Sequence, residues 1–320
     1  MAELRRIGRS DLETPPLILG GNVFGWTADK STSFAVLDAF VAGGGRMIDT
    51  ADIYSSWVDG HDGGESETVI GEWLRRRGRR DDVNITTKVG MLPIDGVEGL
   101  APKHVAAAID ASLARLGTDY VDLYLAHRDD PSQDLGNVAE AFDAAVKAGK
   151  VRVVGASNFD VDRLDQAIEA QQGKGAARYQ VLQNHYNLLE RSKYEGALQD
   201  YCVERGIGMT PYYSLASGYL SGKYRTTDDL KGTRSGSVRK YVEGQGPQVL
   251  AALDGVAEAT GATLAQIALA WIAAQPGIAA PIASATSVKQ VEELLGAMEL
   301  TLDRDQLEAL DTASTATEVA

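Results

Sequence analysis

Short apolar runs and longer amphipathic stretches alternate along this chain, and that alternation predicts its architecture. Residues 17–20, 46–49, 83–88, 121–126, 151–155, 181–183, 207–210 and 278–282 are short apolar-rich runs, and each reads as a strand. Helical spacing fills the intervals over about 32–42, from about 66, then 102–116, 137–148, 161–171, 194–205, and 288–297. The seventh interval holds a long polar stretch, 214–246, and two helices at 247–259 and 264–275 divided by Gly261. Local chemistry agrees with these bounds. Pro102 opens one helix and Gly117 follows its end, and Glu65-Ser66-Glu67-Thr68 supplies capping groups and early carboxylates for another. Ahead of the series, 4–7 and 11–16 read as a hairpin turning at Arg9-Ser10-Asp11, and a last helix is expected over 303–312.

Eight strand–helix units in one series predict an α/β fold, a (β/α)8 TIM barrel with an N-terminal β-hairpin cap and an extra C-terminal helix. A doubly wound sheet would want Gly-x-Gly-x-x-Gly after an early strand. Leu19-Gly20-Gly21-Asn22 comes nearest and lacks that spacing. No compositional break marks a second unit, so one domain is expected over 1–320.

Charge narrows the partners. Lys+Arg total 31 against Asp+Glu 45, a formal net charge of -14, which disfavours nucleic acid and anionic membrane. The basic run Arg75-Arg76-Arg77-Gly78-Arg79-Arg80 falls where a helix should end and reads as a solvated end complementing the helix dipole. Cys202 is the single cysteine, so an intrachain disulfide or thiolate cluster is excluded. Residues 1–12 lack a signal-peptide apolar core, and no apolar run approaches the ~18 residues of a membrane helix. A cytoplasmic setting is expected.

Barrel active sites form where strands end, so polar residues there carry functional weight. Asp49 ends the second run, Tyr54 follows five positions on, Lys88 ends the third and His127 follows the fourth. A phenol with a pKa near ~10 donates its proton usefully only beside a group that stabilises the phenolate, and Lys88 is the candidate. Singly, each residue has a plain structural reading: Asp49 as a strand-end cap, Tyr54 as rim packing, Lys88 as a solvated lysine, His127 as a structural histidine. Together at consecutive strand ends they form a constellation. Ser157, Asn158, Gln183, Tyr212 and Ser284 recur at corresponding places further on.

The chain resembles the aldo-keto reductase superfamily along nearly its whole length. The resemblance rests on Asp49-Thr50-Ala51-Asp52-Ile53-Tyr54, Gly64-Glu65-Ser66-Glu67, Leu116-Gly117-Thr118-Asp119-Tyr120-Val121-Asp122-Leu123-Tyr124, Gly149-Lys150-Val151-Arg152, Gly155-Ala156-Ser157-Asn158-Phe159, Gln183-Asn184-His185-Tyr186-Asn187 and Gly218-Tyr219-Leu220-Ser221-Gly222-Lys223-Tyr224. It implies the same barrel with hairpin and extra helix, and an NADPH-dependent reduction of aldehyde or ketone carbonyls. In that reading Tyr54 gives a proton to the carbonyl oxygen and Lys88 lowers the phenol's pKa. Asp49 holds Lys88, and His127 orients the carbonyl.

The resemblance also implies that Ser157, Asn158 and Gln183 hold the nicotinamide carboxamide while Tyr212 stacks on the ring. It places Leu215, Ser217 and Lys223 over the pyrophosphate. Ser284, Thr286, Ser287, Lys289, Gln290 and Glu293 then meet the adenosine phosphate, at a helix N-terminus that attracts anions. Asn158 has a second reading as a helix cap. The chain departs from the family in four places: Gln290 where arginine is common, Leu294 for asparagine, Ser214 for proline and Ser217 for glycine. Losing a bidentate arginine weakens a 2′-phosphate clamp, with Lys289, Ser287 and Thr286 to compensate. NADP(H) is expected ahead of NAD(H).

Trp57, in the long loop 55–64, is expected to wall the substrate pocket. His61 with Asp59 and Asp62 reads as loop solvation, and no role is assigned to His104 or His185. Two further classes compete with the enzyme reading. One is a cofactor-binding interaction subunit of the potassium-channel β-subunit type. The other, a metal-dependent barrel hydrolase, finds little support in four histidines without paired spacing.

Overall fold

The structure is a computed structural model that describes residues 2–94, 96–231 and 235–315. Strands β1 (Arg5–Arg6) and β2 (Glu13–Thr14) form the antiparallel hairpin. Eight parallel strands follow: β3 (Ile18–Gly20), β4 (Met47–Asp49), β5 (Asn84–Val89), β6 (Val121–Ala126), β7 (Val151–Ser157), β8 (Tyr179–Gln183), β9 (Gly208–Met209) and β10 (Ile282–Ala283). From β4 to β9 each strand pairs with its predecessor, and β10 pairs with β3. The last seam is closed by backbone bonds from Ala279 N to Met209 O (2.8 Å), Met209 N to Gly277 O (2.9 Å) and Ile282 N to Pro211 O (2.9 Å). The sheet is therefore a closed barrel.

Helices α1 (Lys30–Ala42), α2 (Glu65–Arg77), α3 (Pro102–Leu116), α4 (Leu135–Lys147), α5 (Val161–Lys174), α6 (Ala197–Arg205), α7 (Ser235–Val242), α8 (Gly246–Thr260), α9 (Leu264–Ala274) and α10 (Val288–Leu295) surround it, and α11 (Arg304–Ser314) is the extra C-terminal helix. Two apolar layers result. The larger lies between sheet and helices and includes Val36, Phe40, Trp73, Tyr124, Phe142 and Trp271. The smaller fills the barrel, joining Ile18, Met47, Leu123, Leu125 and Val181 to Ile7 and Leu12 of the hairpin. The hairpin thus plugs the N-terminal end. Gly8 makes this possible: its φ is +60°, and a Cβ there would lie 2.3 Å from Gln180 O and 2.7 Å from Gly208 N.

Several bounds differ from the sequence reading, each for a local reason. Strand β10 begins at Ile282 rather than 278 because Pro281 has no N–H to give the ladder, although its carbonyl accepts from Ile18 N at 2.9 Å. Helix α6 starts three residues late, after Gly196 at φ +89°. The stretch 214–246 is not all loop: Val238, Tyr241 and Val242 of α7 are buried at helical spacing. Ser66 does not cap α2; it turns inward and donates to Gly21 O at 2.8 Å. Asn158 does not cap α5 either, since Asp160 accepts from Arg163 N at 2.8 Å.

Four arginines of the basic run are paired: Arg76 with Asp38, Arg77 with Asp82 at 2.6 Å, Arg79 with Asp81 at 3.1 Å and Arg80 with buried Asp122 at 2.7 Å. Among the described residues no single helix is long and apolar enough to cross a membrane, and the apolar pair α8–α9 is bent by 98°.

Candidate active site

Parallel pairing sets Asp49 opposite Thr86, which places Lys88 two residues further along β5 on the same face. Both side chains point into the C-terminal end of the barrel, where water is excluded: Lys88 and Asp49 are buried. The Lys88 ammonium donates to Asp49 Oδ2 (2.8 Å), Thr50 O (2.7 Å) and the Tyr54 hydroxyl (2.9 Å). All three of its protons are spent. The Tyr54 hydroxyl also lies 3.4 Å from Asp49 Oδ2. Gln183, on the strand across the barrel, donates from Nε2 to Asp49 Oδ1 at 2.8 Å. His127 completes the group, its ring centroid 6.1 Å from that of Tyr54 and steeply inclined to it. Its Nδ1 is buried with no hydrogen-bond partner among the described residues. The four residues expected to act together are thus adjacent.

The electrostatics differ from expectation in one respect. Burial, then the Asp49 carboxylate, pushes the Tyr54 phenol well above its ordinary value. Lys88 therefore does not leave the phenol acidic in this state, because burial and the Asp49 carboxylate both disfavour the phenolate. Burial also lowers Lys88, against the opposing pull of Asp49. Burial, Lys88 and Arg128 hold His127 well below its ordinary value. The result is a neutral phenol and a neutral imidazole around one ion pair, with a hydroxyl proton available and a cation behind it. A site of this kind can protonate an oxygen on which negative charge develops.

A chain of polar contacts leads away from this centre. Asn158 holds the left-handed φ of +59° and is fixed by three bonds. Its N–H donates to Asn184 Oδ1 at 2.7 Å, its Nδ2 to His127 O at 2.9 Å, and its Oδ1 accepts from the Tyr212 hydroxyl at 2.7 Å. Ser157 Oγ accepts from the same Nδ2 at 3.1 Å. Tyr212 is half-buried, one face stacked on His185 at 5.5 Å between centroids.

Beyond it Tyr213, Ala216, Ser217 and Gly218 take left-handed backbone (φ +53°, +48°, +58° and +89°). The bonds from Ala216 N to Tyr213 O and from Gly218 N to Leu215 O coil this loop tightly. Lys223 reaches back over it, its Nζ 3.0 Å from where a Cβ on Gly218 would stand. At the next strand end Ser284 Oγ donates to Asn22 Oδ1 at 2.6 Å. Ser287 caps α10, and Gln290 Oε1 accepts from Thr286 N at 2.8 Å and from Thr286 Oγ1 at 3.1 Å. Lys289 is exposed on the first turn and Glu293 is half-buried a turn further on.

The strand-end residues expected at a dinucleotide therefore share one rim, running from Asn158 through Tyr212 to α10. An aromatic face, a lysine over a left-handed loop and a helix N-terminus are the donor set that a nicotinamide dinucleotide needs. Gln183 gives one amide N–H to Asp49, which leaves its second N–H and its carbonyl oxygen for a carboxamide. Gln290 uses its carbonyl oxygen to close its own helix end, which leaves its amide N–H groups for the rim.

An aromatic wall closes the other side. Trp57, 49% exposed, packs edge-on against Tyr54 (6.1 Å) and against Trp26 (5.5 Å). Sequence reasoning did not single out Trp26, Asn184 or Asn22. The visible signal was position: Asn22 and Trp26 sit in the loop after the first strand, and Asn184 directly follows Gln183.

A sequence profile of the Aldo/keto reductase family matches residues 16–315. A Bacillus subtilis (strain 168) protein named Uncharacterized oxidoreductase YrpG is 33% identical over 319 residues, covering 97% of this chain and 95% of that protein. Protein tas of Escherichia coli (strain K12) is 29% identical, covering 97% and 96% respectively. A probable voltage-gated potassium channel subunit beta of Arabidopsis thaliana is 30% identical, covering 93% and 92%.

Proposed function

Because the chain belongs to the aldo/keto reductase family, an oxidoreductase family, we propose that it reduces aldehyde or ketone carbonyls to alcohols with NADPH. The observation that carries this reading is the Tyr54 hydroxyl held 2.9 Å from the Lys88 ammonium. When bound, the reduced dinucleotide supplies a hydride to the carbonyl carbon. This chain's own residues do the rest. Tyr54 gives its proton to the carbonyl oxygen, so that oxygen becomes the alcohol's hydroxyl and the phenolate formed is matched by Lys88. Asp49, anchored by Gln183, keeps Lys88 in place. His127, neutral because of its burial, donates one N–H to the same oxygen and orients it. A raised phenol pKa suits this direction: the proton stays on Tyr54 until a more basic oxygen appears.

Asn158 and Ser157 would hold the carboxamide and Tyr212 the ring face. Leu215, Ser217 and Lys223 would cover the pyrophosphate. Ser284, Thr286, Ser287, Lys289, Gln290 and Glu293 would meet the adenosine phosphate, with Lys289 as the cation for a 2′-phosphate. Trp57 and Trp26 would wall the carbonyl's substituent, and one domain would carry the whole site. A reducing, cytoplasmic setting suits the single buried cysteine, Cys202. A second reading, a dinucleotide-binding interaction subunit, is favoured by the similarity to the Arabidopsis channel subunit. Turnover of an aldehyde and ketone panel, run with NADPH and with NADH, separates them. Dinucleotide binding without turnover supports the subunit, and faster turnover with NADH refutes the NADPH preference.

A further inference from the structure

His185 leaves the end of β8 and lies flat on Tyr212, with centroids 5.5 Å apart and planes inclined by only 21°. Backbone pairing between the two residues fixes this stack, through Tyr212 N to Asn184 O at 3.1 Å. Tyr213 packs edge-on against both rings at 5.2 Å. Asn187 selects the tautomer of His185. Asn187 Oδ1 accepts from Leu189 N at 2.8 Å, and its Nδ2 donates to Tyr213 O at 2.9 Å. The amide orientation is therefore fixed, and the same Nδ2 faces His185 Nε2 at 3.3 Å as a donor. His185 Nε2 is an acceptor, and the ring is neutral in this arrangement. A proton on Nε2 would set two donors against each other.

We propose that His185 is a positioning residue that backs the nicotinamide-stacking face of Tyr212 and makes dinucleotide binding selective between redox forms as pH changes. The proposal rests on the reading that Tyr212 carries the nicotinamide. Neutral His185 supports Tyr212 for either form. Protonated His185 sets a positive charge behind the ring, opposite an oxidised nicotinamide that is itself cationic. The reduced ring is neutral and does not feel it. Adding a stacking separation of ~4.5 Å to the 5.5 Å between centroids places the two charges on the order of 10 Å apart across the stack. Partly screened, that repulsion is worth about tenfold in affinity.

The charged groups around His185 come from three further elements: Glu190 in the turn after β8, Lys193 one turn on, and Lys240 of α7. Glu190 is neutralised by Lys240 at 2.5 Å and also accepts from the Tyr241 hydroxyl at 3.1 Å. Burial and the two lysines lower His185, and Glu190 opposes them. The proton therefore arrives below neutrality. Burial, Lys88 and Arg128 hold His127, the other imidazole facing the site, well below its ordinary value.

The test is titration of the full-length protein with NADP+ and with NADPH, each from about pH 8 to about pH 5, the range in which histidines charge. The 2′-phosphate ionises in both nucleotides, so the ratio of the two dissociation constants isolates the nicotinamide. In the wild type that ratio should rise about tenfold toward acid. In His185→Phe, which keeps the stack, and in His185→Gln, which keeps a neutral partner for Asn187, it should stay flat. A flat ratio in the wild type, or an unchanged rise in both variants, overturns the proposal. If Tyr212→Leu leaves both affinities unaltered, the stacking reading itself fails and the proposal falls with it. A flat wild-type ratio alongside a clear Tyr212→Leu effect condemns the role of His185 alone.

Discussion

Gln183 Nε2 donates to Asp49 Oδ1 at 2.8 Å from the strand on the opposite side of the barrel. The bond crosses the closed end of the site and gives the Asp49 carboxylate a second anchor beside Lys88. Gln183→Leu should leave that buried oxygen without its donor. The expected cost is about 1–3 kcal/mol of folding stability, read from denaturant unfolding. An unchanged midpoint would mean that the bond does not form in solution.

Lys88 and Asp49 should behave as one unit. Lys88→Met leaves a buried carboxylate uncompensated, at a cost of roughly 3–5 kcal/mol. Adding Asp49→Asn removes the stranded charge and should restore most of that stability, yet not turnover. Denaturant unfolding of the two variants, set beside their activities, checks this. A double variant no more stable than Lys88→Met would contradict the pairing.

Asp52 offers a pH-dependent prediction. It is 1% exposed, and neither carboxyl oxygen finds a partner among the described residues. Burial first, then the nearby Glu67 carboxylate, raises its pKa from 3.8 to about 8. Between those values the folded state keeps a proton that the unfolded chain has released, so stability falls as pH rises across the window. Asp52→Asn abolishes this dependence. Its advantage over the wild type should grow from about pH 4 to about pH 8 and reach on the order of 5 kcal/mol. Thermal unfolding over that range decides it, and parallel curves would refute the raised pKa.

Much of this architecture was legible because a barrel strand covered on both faces writes itself as a short apolar-rich run. The eight strands followed from that, and the hairpin and the C-terminal helix from turn residues and helical spacing of their own. Asp49, Tyr54, Lys88 and His127 were legible because they stand at successive strand ends. The misses were tertiary. Ser66 looks like a helix cap in sequence, but the Gly21 carbonyl claims its hydroxyl. Helix α7 hid in a polar stretch, since only Val238, Tyr241 and Val242 face inward. The pairing of Trp26 with Trp57 and the stack of His185 on Tyr212 join residues whose neighbourhood depends on how loops fold back over the rim. The raised Tyr54 pKa was hidden too, because the burial of its hydroxyl and the approach of Asp49 depend on the folded positions.

The most direct test compares Tyr54→Phe with the wild type for NADPH affinity and aldehyde turnover in the same preparation. Removing the hydroxyl deletes the proton and keeps the ring, so the dissociation constant should stay within about twofold while turnover falls by about 10²–10⁴. Near-normal turnover in Tyr54→Phe would show that the proton comes from elsewhere.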